Sequence, residues 1–370
     1  MAAALCKQWC SKYINDPYNL ATIDHTIRAA VEEPVFIMFH LLNNGDQYSN
    51  NLCTLSFSDS TISDNSTSIK VSRNRKIMEF ECKRKRTSSF FANNDIILGS
   101  CNELLYASRQ HVHENRAKFS LVVIHPLRKE CYELPPNDIW LYKSGIIEQE
   151  SCGLGFDDYT NTYKMVCVVL QGYVSCSEFY NVSENLCTMV HVLGTDDSWR
   201  RISQVPCYPV RGEGIFANGC LHWLVSCLDY SPNNELGRKV IFFDIRIEEF
   251  GLIGAPRRTC YNWVDEHLVD LNDRVGFVYH DFAEEKIGVL VLNKEKDEWE
   301  MYCCFDKRPP LIYNRFIKVL GFWNKSGDIV MTNHDRNRLF VYGVKDESLY
   351  EVGVYDDEFD QDIRMYRPSE

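Results

Sequence analysis

The sequence predicts an all-β protein with a β-propeller-like domain and a short helical segment at the N-terminus. From about Val35 onward, short runs of β-branched and aromatic residues alternate with clusters of Gly, Asn, Asp and Pro, a pattern typical of strands and turns. A charged turn followed by an aromatic residue also recurs at nearly constant spacing. These aromatic residues are 51, 49 and 51 residues apart, at Trp199, Phe250, Trp299 and Tyr350. A period of about 50 residues is typical of propeller blades.

Residues 1–27 differ from the rest of the chain. Leu5, Trp9 and Tyr13 recur at helical spacing, which indicates a short helix. The Asn-Asp-Pro sequence at residues 15–17 is a stop and turn signal, because proline disfavours helical backbone at the residue before it. We therefore expect one short helix and its exit before the β domain begins.

The β domain is expected over residues 35–354, followed by an acidic and disordered tail over residues 355–370. Two polar stretches inside the domain, residues 56–72 and the basic run 83–86, are expected to be exposed loops. The basic run also fits a nuclear import signal. The repeat leaves room for about six units. A two-sheet sandwich is the alternative architecture.

Composition excludes several classes of partner. The net charge of −12 repels phosphate backbones and anionic lipid, so neither nucleic acid nor a membrane is expected to bind. The sequence shows no signal-peptide pattern and no apolar run long enough to span a bilayer, which favours a cytoplasmic and/or nuclear protein. The 16 cysteines are scattered through apolar stretches, so we expect reduced thiols.

No enzyme motif with the required spacing is present, so no catalytic residue, cofactor or metal is predicted. Cys6 and Cys10 are four residues apart on the predicted helix, but no second ligand pair with zinc-finger spacing follows. His111 and His113 alternate, and a surface loop is the expected reading of that pair. The adjacent cysteines at residues 303–304 point to opposite faces of any strand and cannot act together.

The tryptophans and the long connections are the other candidates for function. Trp199, Trp223 and Trp299 fit an interface, but their regular positions in the repeat favour blade packing, with the repeated aromatic residue between neighbouring sheets. Target recognition in a propeller usually belongs to loops that the rigid blades position. Three stretches mix aromatic, charged and flexible residues in this way, and they are residues 173–184, 228–236 and 257–265. The specific target-binding residues are left unknown.

At several points the sequence resembles plant F-box proteins that carry an F-box-associated domain. Residues 5–17 (LCKQWCSKYINDP) resemble the last helix of a plant F-box and its exit. The rest of the resemblance follows in the family's order, with motifs at residues 99–105, 125–130, 155–158, 163–164, 197–202, 218–224 and 243–245. Each motif is short, and it is their combination and order that are specific. Residues 35–57 also resemble the S-locus F-box branch.

The resemblance implies a substrate receptor of an SCF-type ubiquitin ligase, in which the F-box docks on a Skp-type adaptor and the β domain holds an unknown protein target. Leu5, Cys6 and Trp9 are then the expected adaptor-binding residues. Such a receptor performs no chemistry itself, which agrees with the lack of enzyme motifs.

The resemblance to the F-box covers only its final helix, and this departure leaves two alternatives open. In one, the sequence lacks the start of a complete F-box. In the other, the chain is a truncated F-box-like protein that binds a partner or a glycan without recruiting a ligase. Adaptor binding distinguishes the two, and a glycan array tests the lectin-like form of the second.

Overall fold

The computed structural model is built almost entirely from antiparallel strands. It describes residues 35–44, 47–61, 67–82, 97–113, 116–125, 130–135, 150–170, 186–225, 239–254, 256, 266–281, 283–307, 311, 317–324, 326–333, 338–354 and 361–366. The described residues contain 24 strands arranged in five sheets. This confirms the predicted all-β class.

Sheets I, II and III each have four strands that follow one another along the chain. Sheet I comprises β4 (Ile97–Cys101), β5 (Leu104–His113), β6 (Arg116–His125) and β7 (Glu130–Glu133). Sheet II comprises β8 (Glu150–Asp157), β9 (Thr162–Leu170), β10 (Leu186–Val192) and β11 (Arg200–Ile202). Sheet III comprises β12 (Val210–Ala217), β13 (Cys220–Val225), β14 (Lys239–Asp244) and β15 (Glu249–Gly254).

Sheet IV repeats the same pattern, and sheet V is larger. Sheet IV comprises β16 (Glu266–Asp270), β17 (Val275–Asp281), β18 (Lys286–Asn293) and β19 (Glu298–Asp306). The C-terminal strands of sheet V are β20 (Ile317–Phe322), β21 (Ile329–Asn333), β22 (Arg338–Gly343), β23 (Ser348–Val354) and β24 (Gln361–Tyr366). Its N-terminal strands are β1 (Val35–Asn44), β2 (Gln47–Thr61) and β3 (Thr67–Cys82). The strand order is β20-β21-β22-β23-β3-β2-β1-β24.

Sheet V explains why the described residues form five sheets instead of about six. The first repeat unit does not build a sheet of its own. Its strand β3 pairs parallel to β23, with Ile69 opposite Val352, and β1 pairs antiparallel to β24, with Val35 opposite Tyr366. The beginning and the end of the described chain therefore complete one sheet together.

Strand pairing in sheets V and I corrects three sequence predictions. Much of the expected polar loop 56–72 belongs to the β2–β3 hairpin, because strand pairing uses backbone N–H and C=O groups, which polar residues carry as well as apolar ones. Residues 361–366, expected in a disordered tail, form β24. His111 and His113 lie on strand β5 and not in a loop. The predicted N-terminal helix over residues 1–27 and the basic run 83–86 lie outside the described residues.

The chain divides into two compact units, one with sheets I to III and the other with sheets IV and V. In the first unit the leading strands β4, β8 and β12 lie against one another. One core is formed by sheets I and II around Tyr106, Leu154 and Cys167, and a second by sheets II and III around Trp223 and Phe243. In the second unit a core of large apolar residues is shared by sheets IV and V.

The repeated aromatic residues found in the sequence occupy equivalent places. Phe250, Trp299 and Tyr350 lie near the start of the last strand in each four-strand repeat, directly after a charged turn. The ring centroid of Phe250 is 4.8 Å from that of Phe243, and the centroid of Trp299 is 5.6 Å from that of Phe277. Both rings therefore contact their own sheet, whereas the repeat predicts packing between neighbouring sheets.

Candidate functional site

In sheets II and III, tight turns join neighbouring strands at one end of the strands. The turns after β8, β12 and β14 span only a few residues, at 158–161, 218–219 and 245–248. The two sheets point the same way, because Ser151 Oγ at the start of β8 donates a hydrogen bond to the carbonyl of Val210 at the start of β12, 3.2 Å away. The tight turns of both sheets therefore lie at one edge of the first unit.

The target loops predicted from the sequence belong to other connections along the chain. The connection after β9 contains residues 173–184, the one after β13 contains residues 228–236, and the one after β15 contains residues 257–265. All three ranges lie outside the described residues, as do Leu5, Cys6 and Trp9. Their proposed roles in target and adaptor binding therefore remain predictions.

Two tight turns of this edge are fixed by aspartate side chains. Asp157 Oδ1 accepts hydrogen bonds from the backbone N–H groups of Tyr159 and Thr160, at 3.1 and 3.3 Å. Asp244 Oδ1 accepts bonds from the N–H groups of the second and third residues after it, at 2.9 and 3.1 Å. Asn161 and Glu248 close the two turns in the left-handed conformation, with φ of 54° and 58°. The Asp-x-x-x-Asn/Glu spacing in the sequence is a signal for such turns.

An ion network joins the two turns. Lys164 Nζ lies 3.2 Å from Asp157 Oδ2 and 3.2 Å from Glu248 Oε1, and it donates a hydrogen bond of 2.8 Å to the carbonyl of Ile245. Arg200 binds Glu248 with both terminal nitrogens, at 2.9 and 2.8 Å. The side chains of Lys164 and Asp157 are 9% and 1% exposed, so water contributes little to their solvation. The network therefore fastens sheet II to the turn of sheet III.

The network determines the charge state of its acids. Burial alone would raise the pKa of Asp157, but hydrogen bonds from Thr160 and Lys164 outweigh it and hold that pKa below its ordinary value. Burial likewise opposes the ionised form of Glu248, yet Arg200 and Lys164 lower its pKa. Both groups are therefore carboxylates near neutral pH. Their stabilising contribution is fully present above their ordinary pKa values, near about 4, and is lost as pH falls below that range through the lowered pKa of each folded-state carboxyl.

Close approach of the two sheets at this edge requires a glycine. A Cβ atom at Gly155 would lie 2.5 Å from Cδ1 of Ile245, far inside contact distance. Gly155 belongs to the Gly-Phe-Asp-Asp motif that carried part of the family resemblance. That motif therefore has a structural explanation. Its glycine leaves room for the Ile245 side chain, and its first aspartate, Asp157, forms an ion pair with Lys164.

The network supports an exposed surface formed by Tyr159, Arg246 and Ile247, called here the turn surface. Tyr159 is 74% exposed and Ile247 is 60% exposed. The guanidinium carbon of Arg246 lies 4.4 Å from the centroid of the Tyr159 ring, a cation–π contact between the turns of sheets II and III. Sequence analysis missed this surface because its members come from turns more than 80 residues apart.

Trp199 and Trp223 pack against the cores of the sheets, as predicted. Trp223 is fully buried between sheets II and III. Trp199 packs against the core of sheets I and II, and its Nε1 donates a 2.7 Å hydrogen bond to the carbonyl of Pro135. Neither ring is therefore a main part of an exposed ligand face.

Beside Trp199, the buried His191 predicts a pH dependence of stability. Its Nδ1 lies 3.4 Å from the carbonyl of Ser198, while within the described part of the chain its Nε2 has no hydrogen-bond partner. Burial lowers the pKa of His191. The unfolded chain therefore binds more protons than the folded one at mildly acidic pH, and stability present above the unfolded pKa is lost as pH falls through it.

We expect the free energy of unfolding to fall by about 1 kcal/mol more in the parent protein than in His191→Phe between about pH 7.5 and pH 5.5. Denaturant titrations at the two pH values measure this difference. Trp199→Phe is the control. It alters the contact between His191 and Trp199 but keeps the imidazole, so it should keep the pH dependence. An unchanged pH slope in His191→Phe would contradict the assignment.

Reactive and metal-binding groups are sparse in the described part of the chain. No group of three or more His, Cys, Asp or Glu residues is arranged to hold a metal ion there. Cys303 is buried while Cys304 is exposed, as their opposite orientation predicts, and burial raises the pKa of Cys303 to about 12. A thiol with such a pKa is not a nucleophile near neutral pH. Among the same residues, no helix is long and apolar enough to cross a membrane.

Successive four-stranded antiparallel sheets whose leading strands pack together are the architecture of the β-propeller class. Comparison with protein families gives the more particular answer. The profile of the F-box-associated β-propeller domain matches residues 43–365, and the chain belongs to that family. This confirms the resemblance found in the sequence motifs.

Individual relatives agree with the family. Three proteins of Arabidopsis thaliana named as F-box proteins are 24%, 24% and 22% identical, over 59%, 55% and 66% of this chain. The match covers 44%, 47% and 60% of their lengths, so the chain spans about half the length of the curated relatives it matches. Among solved structures, a periplasmic gluconolactonase of Pseudomonas aeruginosa is similar at a TM-score of 0.43 and 7% identity, covering 90% of this chain and 99% of that one. A likeness this distant carries no functional argument.

Proposed function

We propose that the chain is the target-binding part of a substrate receptor in an SCF-type ubiquitin ligase. The family match over residues 43–365 carries this proposal, together with F-box proteins as relatives. The β domain would hold a protein target, and the transfer of ubiquitin would take place on other subunits. On this proposal the protein has no turnover of its own and acts in the cytoplasm and/or nucleus.

The structural support is that sheets I to III form a compact unit with exposed turns. Propellers use such scaffolds to position recognition elements without disturbing the core. In this protein the ion network of Lys164 and Glu248 adds electrostatic ties between sheets II and III, so residues on the adjoining turns keep their relative positions. A surface of this kind suits protein recognition.

Adaptor binding is the experiment that tests the proposal. The chain is co-expressed with a plant Skp-type adaptor and purified by a tag on the adaptor. We expect co-purification, and we expect Leu5→Ala/Trp9→Ala to weaken it by at least about ten-fold, because loss of two large apolar contacts removes more than about 1.4 kcal/mol of binding free energy. Lys12→Ala, in the same segment, is the matched control and should bind normally.

The outcomes separate the two alternatives left by the sequence. If the parent chain does not bind the adaptor, but a version extended upstream to a Leu-Pro F-box start does, the given chain is an incomplete receptor. If neither binds, the ligase proposal is wrong. A glycan array with the same protein then tests the remaining possibility of a glycan-binding module.

A further inference from the structure

Two of the exposed large apolar side chains of the described residues belong to the turn surface. Single exposed apolar residues are common and need no explanation. Here Tyr159 from the turn of sheet II and Ile247 from the turn of sheet III are linked through Arg246, which lies on the Tyr159 ring. The result is a small mixed surface of one aromatic, one aliphatic and one guanidinium group.

This surface is held in place before any partner binds. Each turn is fixed by its own aspartate, Asp157 or Asp244, through two backbone hydrogen bonds. The Lys164 network then joins one turn to the other. Fixing the groups beforehand reduces the conformational entropy that binding would otherwise cost. Tyr and Arg are also among the residues that contribute most to binding at protein interfaces.

The charges around the turn surface are mainly negative. In the network, Lys164 and Arg200 offset the charges of Asp157 and Glu248. The same two turns then retain three acids and one base, and these are Asp158, Asp244, Glu249 and Arg246. Asp158 and Glu249 are exposed. The whole chain has a net charge of −12, so the surrounding field has the same sign.

From this geometry we infer that the turn surface binds a basic, apolar segment of the target protein. An apolar side chain of the segment would pack on Tyr159 and Ile247, while lysine or arginine side chains would face Asp158 and Glu249. The inference rests on the proposed role in target recognition and names the chemistry of the partner. A second copy of this chain is a poorer partner, because it would bring the same excess of negative charge.

The test uses two short fluorescent peptides as probes, one of alternating lysine and leucine and one of alternating glutamate and leucine. Binding to the full chain is followed by fluorescence anisotropy. We expect the lysine peptide to bind at least about ten-fold more tightly than the glutamate peptide, and Tyr159→Ser/Ile247→Ser to weaken the lysine peptide by at least about ten-fold. Asp158→Lys/Glu249→Lys should reverse the preference between the probes.

Met301→Ser is the matched control, since Met301 is 53% exposed on a strand of sheet IV and lies outside the turn surface. It should bind the lysine peptide as the parent protein does. Equal weakening by Met301→Ser and by the turn-surface variant would overturn the inference. So would self-association, measured by sedimentation, that the turn-surface variant abolishes.

The adaptor assay keeps this inference separable from the proposed function. Turn-surface variants that lose the peptide but still co-purify with the adaptor support both. Selective peptide binding by a protein that does not bind the adaptor, even in the version extended upstream, supports the surface and refutes the ligase role. A parent protein that binds the adaptor but does not distinguish the two peptides supports the ligase role and refutes the surface.

Discussion

Replacing Lys164 by methionine is expected to lower the free energy of unfolding by about 3–5 kcal/mol, the range found when one partner of a buried ion pair is removed. Methionine keeps much of the side-chain volume but leaves the Asp157 carboxylate, which is 1% exposed, without its cation. It also removes the hydrogen bond to the carbonyl of Ile245. Denaturant unfolding, with amide exchange in β8 and β9 as a local readout, measures the loss.

Lys286→Met provides the control because its ion pair with Glu284 is short but exposed, at 2.8 Å and with the two side chains 40% and 63% exposed. Removing such a surface pair costs less than about 1 kcal/mol. Adding Asp157→Asn to Lys164→Met should recover part of the loss, since asparagine keeps an acceptor for the turn but carries no charge. If Lys164→Met and Lys286→Met cost the same, the network does not stabilise the junction of sheets II and III.

Trp223→Ala is expected to destabilise the protein by about 3–5 kcal/mol, as large-to-small changes in a well-packed core do. The Trp223 side chain is fully buried, and its ring fills the space beside two glycines. A Cβ atom at Gly214 would lie 2.7 Å from the ring, and one at Gly153 would lie 3.0 Å from it. Neither glycine has a side chain that could move into the cavity that alanine would leave.

Trp199→Ala offers the comparison for Trp223→Ala. Trp199 is partly exposed, so its loss should cost less, although the hydrogen bond to Pro135 is lost with it. Amide exchange in β12 and β13 should accelerate far more in Trp223→Ala than in Trp199→Ala. Similar exchange in the two variants would show that the core of sheets II and III does not depend on Trp223.

The repeat made the four-strand pattern predictable because it places the same kinds of residue at the same point of each sheet. Phe250 and Trp299 follow charged turns, and both lie near the start of the last strand of their sheets. The eight-stranded sheet V was not predictable in this way. Its parallel pairing sets Ile69 opposite Val352, and pairing across so much of the chain leaves no periodic signal in the sequence.

The candidate site was predictable only in parts. Asp157 and Lys164 both lie in one hairpin and belong to motifs of the family resemblance. Their partner Glu248 comes from the next repeat, and its role depends on how sheets II and III meet. The loop predicted over residues 56–72 is wrong for a related reason. Polarity indicates a loop, whereas strand pairing between β2 and β3 decides the backbone conformation.

The shared construction of sheet V has a consequence for synthesis on the ribosome. β1, β2 and β3 leave the exit tunnel first, yet their partner strands β23 and β24 are translated last. At about 5–20 residues per second, the β2–β3 hairpin waits roughly 15 to 50 seconds before β23 is complete. During this interval the hydrogen-bonding edge of β3 that later receives β23 lacks that strand, and such edges recruit other chains. The pairing of β3 with β23 therefore leaves one edge of β3 open while the strands between them are being made.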